Sequence, residues 1–134
     1  MQEIVAPRIK RVAKKLGSYG IDLFSMGSDG DIRPLLPILL DAGINCLSPY
    51  EVNCCVHPGK LLDEYSGALR IIGGVDKIQI MGGKDCIDSY LHSIAPYVKR
   101  GGFIPHIDFD VYAYYGQDHY LYYLKRFRQL FGYM

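Results

Sequence analysis

Long apolar runs are missing from this chain of 134 residues, whose uninterrupted apolar stretches cover only a few positions, as at Ile38 to Leu40. A membrane-spanning helix needs roughly 20 apolar residues, so none is expected. An excess of one charge is missing too. Fifteen Lys and Arg against fourteen Asp and Glu leave +1, too little for a protein whose main task is to coat nucleic acid. The four cysteines at 46, 54, 55 and 86 contain no Cys-x-x-Cys pair, which removes the zinc-knuckle and thioredoxin-type motifs. Adjacent Cys54 and Cys55 are poorly placed to bridge each other, and reduced thiols are expected. The opening Met1 to Pro7 lacks the basic region and apolar core of a secretory leader, so the cytoplasm is the expected compartment. Low-complexity linkers, compositional breaks and repeats beyond a βα unit are also absent, and residues 1–134 read as one domain.

What is present is a globular composition, 49% hydrophobic and 22% charged. Its charge is uneven: Met1 to Leu16 holds five basic residues and one acidic, Gly17 to Gly116 seven basic and twelve acidic. Hydrophobic spacing predicts an amphipathic helix over Ala6 to Tyr19, with Ile9, Val12, Ala13 and Leu16 on one stripe. Its basic residues Arg8 to Lys15 read as a solvated helix face, not a nucleic-acid surface. A buried strand is expected over Ile21 to Met26, followed by the tight loop Gly27-Ser28-Asp29-Gly30. Asp31 can cap a helix over Ile32 to Ala42, which Pro37 should delay or bend. Strands at Ile44 to Pro49, Arg70 to Val75 and Phe103 to Ile107 then alternate with helices at Pro58 to Leu69, Asp85 to Lys99 and Asp118 to Phe131. Strands joined by helices of this length run parallel. The expected class is α/β, with about four parallel βα units.

In parallel α/β folds the reactive groups gather where strands end and helices begin. Those ends are Ser28 to Asp31, Pro49 to Asn53, Gly73 to Lys77 and Pro105 to Asp108. Each carries a carboxylate, one adds His106 and another Lys77, a set suited to binding ring N–H groups or moving protons. Plainer roles exist for each alone: Asp29 and Asp31 as helix caps, Asp76 and Lys77 as a surface pair, His106 as a structural histidine. Their shared position in successive βα units is what joins them.

Four stretches carry a resemblance: Gly27-Ser28-Asp29-Gly30-Asp31-Ile32-Arg33-Pro34-Leu35-Leu36-Pro37, the Ala42-Gly43-Ile44-Asn45 turn with Pro49-Tyr50-Glu51-Val52, Ile72-Gly73-Gly74-Val75-Asp76-Lys77, and Gly101-Gly102-Phe103-Ile104-Pro105-His106-Ile107-Asp108. In order, from Pro7 to about Gly132, the chain resembles the carboxyl-terminal half of the uroporphyrinogen decarboxylase superfamily. The resemblance implies half of a (β/α)8 TIM barrel, since a complete one takes roughly 250 residues. It implies a carboxy-lyase acting on a tetrapyrrole or related small molecule without a cofactor. His106, just after the last strand, would be catalytic with Asp29 and Asp76, while Ser28, Glu51, Lys77 and Asp108 would bind substrate. The family's amino-terminal half supplies further site residues, so this half is expected to be inactive alone.

The methyltransferase branch of the same superfamily acts with a corrinoid protein and holds zinc through a His-x-Cys pair. Met26 and Ser28 stand at those places, and neither replaces an imidazole or a thiolate. No metal is expected there. Cys54, Cys55 and His57, three ligands crowded into four residues, rarely complete a tetrahedron. The tyrosines at 112, 114, 115, 120, 122 and 123 either stack on a flat ligand or, more commonly for a terminal helix, pack against a barrel. A half-barrel leaves open sheet edges and an uncovered strand face, so a homodimer, pairing with the missing half, or marginal stability is expected; a non-enzymatic half-barrel is the remaining reading.

Overall fold

The computed structural model describes residues 1–108 and 116–132; Tyr112, Tyr114 and Tyr115 lie outside them. The first helix, α1, spans Val5–Gly17 and buries only Ala6. It approaches the next layer closely at Gly43, where an added Cβ would stand 2.8 Å from that of Ala13. The expected strand from Ile21 shrinks to two residues, β1 Ser25–Met26, and Ile21 and Leu23 are exposed. A side chain explains the difference. Asn45 accepts from the Phe24 N–H at 2.9 Å and donates to the Asp22 carbonyl at 2.7 Å, satisfying backbone groups that a ladder would otherwise pair.

Asp31 accepts from the Arg33 N–H at 3.1 Å and so holds the start of a 3-10 turn, Arg33–Leu35. Pro37 sits in the first turn of α2, which covers only Leu36–Asp41. Strand β2, Cys46–Tyr50, contains a cis Ser48–Pro49 peptide and leads to a second 3-10 turn, Val52–Cys54. Helix α3, Pro58–Glu64, stops short of the expected Leu69 near Gly67, whose φ of +79° suits glycine. Strand β3 spans Arg70–Val75. The short α4, Lys77–Met81, is capped by Asp76 and was not legible from hydrophobic period. Helix α5, Lys84–Arg100, strand β4, Phe103–Ile107, and helix α6, Gln117–Phe131, follow.

The four strands form one sheet in the order β1-β2-β3-β4, every pair parallel. Leu47, Ile71, Val75, Phe103 and Ile107 project from one face into a core with Leu36, Leu39, Leu61, Ile80, Leu91 and Ile94. Along β4 the residues alternate: Phe103, Pro105 and Ile107 are buried, while Ile104 and His106 are exposed. Among the described residues helices therefore cover one face only, an architecture consistent with half of a barrel. Tyr123 is buried in that core, and the Tyr122 hydroxyl donates to Asp88 at 2.8 Å. These α6 tyrosines fasten α6 to α5.

His57 caps α3. Its Nδ1 accepts from the Gly59 N–H at 3.2 Å, which places the proton of the neutral ring on Nε2, 3.0 Å from Ser93 Oγ on α5. Burial, with a smaller contribution from Lys60, pushes this imidazole below the usual histidine range. Protonation would turn the accepting nitrogen into a donor and abolish the cap. Because the folded value is depressed, the stabilisation is present above the unfolded value of about 6.5 and is lost as pH falls through the folded one. The melting temperature should drop between about pH 7 and pH 5, and His57→Asn, which keeps a capping acceptor without titrating, should flatten that slope. An unchanged slope in the variant would assign the acid sensitivity elsewhere.

Candidate functional site

The carboxyl-terminal sheet edge brings most of the expected residues together through hydrogen bonds between successive βα turns. Glu51, the first residue after β2, accepts from Lys77 Nζ at 2.9 Å. Both side chains are less than one-fifth exposed, at 18% and 17%, so the pair is largely shielded from solvent while still reachable. The lysine hydrogen bond holds the Glu51 carboxyl below the ordinary range. Cys54 Sγ donates to the other Glu51 oxygen at 3.3 Å, and the carboxylate pushes that thiol up.

Asp76 follows β3. Its Oδ1 accepts from the Ile78 N–H at 2.8 Å and from Asn53 Nδ2 at 3.2 Å, and its Oδ2 from Gln79 Nε2 at 3.4 Å. Asp108 follows β4 and has no exposed surface. Its carboxylate accepts from the Val52 N–H at 3.0 Å and the Lys77 N–H at 3.3 Å. One side chain thus ties the ends of β2, β3 and β4. Burial raises the Asp108 carboxyl above its ordinary value, with the two backbone N–H groups acting the other way.

The remaining residues lie at the margin of this cluster. Ser28 and Asp29 occupy the loop after β1, both exposed, and Ser28 donates to the Asp29 carbonyl at 3.3 Å. Ser28, Glu51, Tyr50 and Cys55 border one cavity of about 10 Å³, room for about one water. Beside it, Asp31 and Arg33 form a two-point pair at 2.6 and 2.8 Å that holds the Asp31 carboxyl at about 2. His106 lies inside β4, within the expected strand span Phe103 to Ile107 and not just after it, on the face without helices. Its Nδ1 is 2.7 Å from the Ile107 carbonyl. Since a carbonyl only accepts, that nitrogen carries the proton and Nε2 is left as the acceptor in the neutral ring.

Asn53 and Tyr90 escaped sequence reasoning. Tyr90 donates to the Gly74 carbonyl at 2.6 Å from α5, and only its helical position on the core side of α5 could have signalled it. Asn53 stood in the same turn as Glu51 but carries no charge to attract notice. Among the described residues no three His, Cys, Asp or Glu side chains form a group able to hold a metal ion. Chemically, the edge offers a displaceable carboxylate–ammonium pair, an exposed imidazole and an exposed carboxylate at Asp29. Asp76 and Asp108 are engaged by their own chain. No protein-family model, curated protein or solved structure matches this chain.

Proposed function

We propose that the chain is a uroporphyrinogen decarboxylase-like half-barrel whose carboxyl-terminal rim takes a tetrapyrrole or related carboxylated ring, in the cytoplasm, and that it does not decarboxylate by itself. The observation that carries this reading is the Glu51–Lys77 pair at the carboxyl edge of four parallel strands in chain order, where enzymes of this architecture act. A substrate carboxylate replaces Glu51 on Lys77 Nζ and gains a charge-assisted hydrogen bond. His106 Nε2 is the group able to exchange a proton with the ring. Asp29 and Ser28 contact the ligand from the β1 side, and Asp76 and Asp108 hold the turns that position Lys77. This chemistry requires neither metal nor organic cofactor, and the partner is a small molecule.

Titration with uroporphyrin, followed by its fluorescence, tests the reading. Saturable binding is expected, weakened about tenfold in Lys77→Gln, the equivalent of about 1.4 kcal/mol. Porphyrinogen turnover by the chain alone is expected to be nil. Absence of binding, or porphyrinogen turnover by the chain alone, would sink it.

A further inference from the structure

Among the described residues the sheet is covered by helices on one side only, although all-parallel sheets occur almost exclusively with both faces covered. Residues paired in a parallel ladder lie side by side on the same face. Ser25 pairs with Cys46 and Cys46 with Arg70, Ile72 pairs with Ile104 and Gly74 with His106, which defines the bare face. No strand residue on it is a carboxylate. Ile104 is 57% exposed and Leu23 48%, and Leu23, Cys46, Arg70, Ile72 and Ile104 border a hollow of about 220 Å³ that also reaches Ile71 and Phe103 at the strand starts. Apart from Arg70 and His106 at its two ends, the side chains of this face are small or apolar, and with the open hollow they match the lining of a barrel interior awaiting the opposite wall, where side chains from facing strands fill the space in layers.

The described part of the chain does not supply that wall. Strand order follows chain order without a reversal, and crossovers of one hand place every connecting helix on the same side. Helix α6 is held on α5 by Tyr122 and Arg126, both bonded to Asp88. Both outer strands, β1 and β4, have a single ladder partner among the described residues.

We propose that a second copy of the chain is the missing wall. In this arrangement β4 of each protomer pairs with β1 of the other around a two-fold axis parallel to the strands. That operator keeps all strands parallel and makes the two seams equivalent. Four strands from each copy give about eight, the number at which side chains just fill a closed barrel, and closure removes both edges and both bare faces at once. The two carboxyl-terminal rims then form one mouth, lined by Glu51, Lys77 and His106 from each copy, so the site of a lone protomer is half of the whole. This rests on the barrel geometry of the reading above and not on its chemistry.

Sedimentation velocity on the full chain should give a dimer. Ile104→Lys, a change on an exposed position that the monomer fold tolerates, should weaken association at least about tenfold, whereas Val12→Lys on α1 should leave the mass unchanged. Hydrogen exchange should show the outer-edge amides of β4 protected in the dimer and open in the Ile104→Lys monomer. Should that variant lose helical circular dichroism, Leu23→Lys replaces it. A monomer at every concentration, an open-ended polymer, or a dimer indifferent to both lysine variants would overturn the proposal. A dimer that ignores uroporphyrin would leave it standing and remove only the substrate reading.

Discussion

Gly73→Ala should cost the chain a large share of its stability. Gly73 sits within β3 at a φ of +115°, a region L-residues rarely enter, and an added Cβ would stand 2.6 Å from the Tyr50 nitrogen and 3.1 Å from its oxygen. Both are backbone atoms of the neighbouring strand and have no rotamer to give. Backbone strain of about 1–3 kcal/mol adds to an overpacking cost of about 1–3 kcal/mol, against a total for such domains of about 5–15 kcal/mol. The site shares the damage. The ladder register shifts between Leu47 and Tyr50, where Tyr50 faces Gly73, and Glu51 follows directly. Thermal unfolding by circular dichroism should show a fall of roughly 10 °C or more, with Gly17→Ala as the contrast, since nothing lies within 4 Å of that position. A Gly73→Ala melting point within a few degrees of the parent would mean that the two strands can separate locally at little cost.

The second large effect is expected at Asp108. Replacement by alanine removes the acceptor of the Val52 and Lys77 N–H groups, which meet a fully buried carboxylate. Each orphaned donor costs about 1–3 kcal/mol, so a loss of about 3 kcal/mol is expected in denaturant titrations. Asp108→Asn should lose less, because one carbonyl oxygen remains to accept while the amide opposes the other donor. Uroporphyrin affinity should fall in parallel with loosening of the Lys77 turn even though Asp108 never meets solvent. Full stability in Asp108→Ala would show that water enters and replaces the carboxylate.

Much of the fold was legible because apolar period and glycine or proline punctuation coincide. Strands β3 and β4 fall where Arg70 to Val75 and Phe103 to Ile107 predict them, and α5 differs from its expected span by one residue at each end. The misses have local causes. Strand β1 is short because the Asn45 amide does the work of a ladder, a long-range substitution with no periodic trace. Helix α4 is only five residues long, too short for a 3.6-residue period to stand out. At the site, carboxylates could be placed on one edge from the strand ends, but not sorted. Whether a carboxylate faces ligand or backbone depends on neighbouring turns, and Asp108 bonds to residues 56 and 31 positions away. The position of His106 turned on strand parity, which moves a side chain from one face to the other within a single residue.

The Cys54 contact with Glu51 bears on oxidation chemistry. Nucleophilic attack by sulfur requires the thiolate, and an acceptor carboxylate on the S–H raises the energy of that anion. Cys55 is pushed in the same direction, first by burial. Exposure at the rim therefore does not make Cys54 an easy target for peroxide, and the neighbouring thiols stay low on the sulfenic and sulfinic ladder. Any ligand that draws Glu51 away from Cys54 releases that restraint, so the sulfur becomes more reactive when the carboxylate is occupied elsewhere.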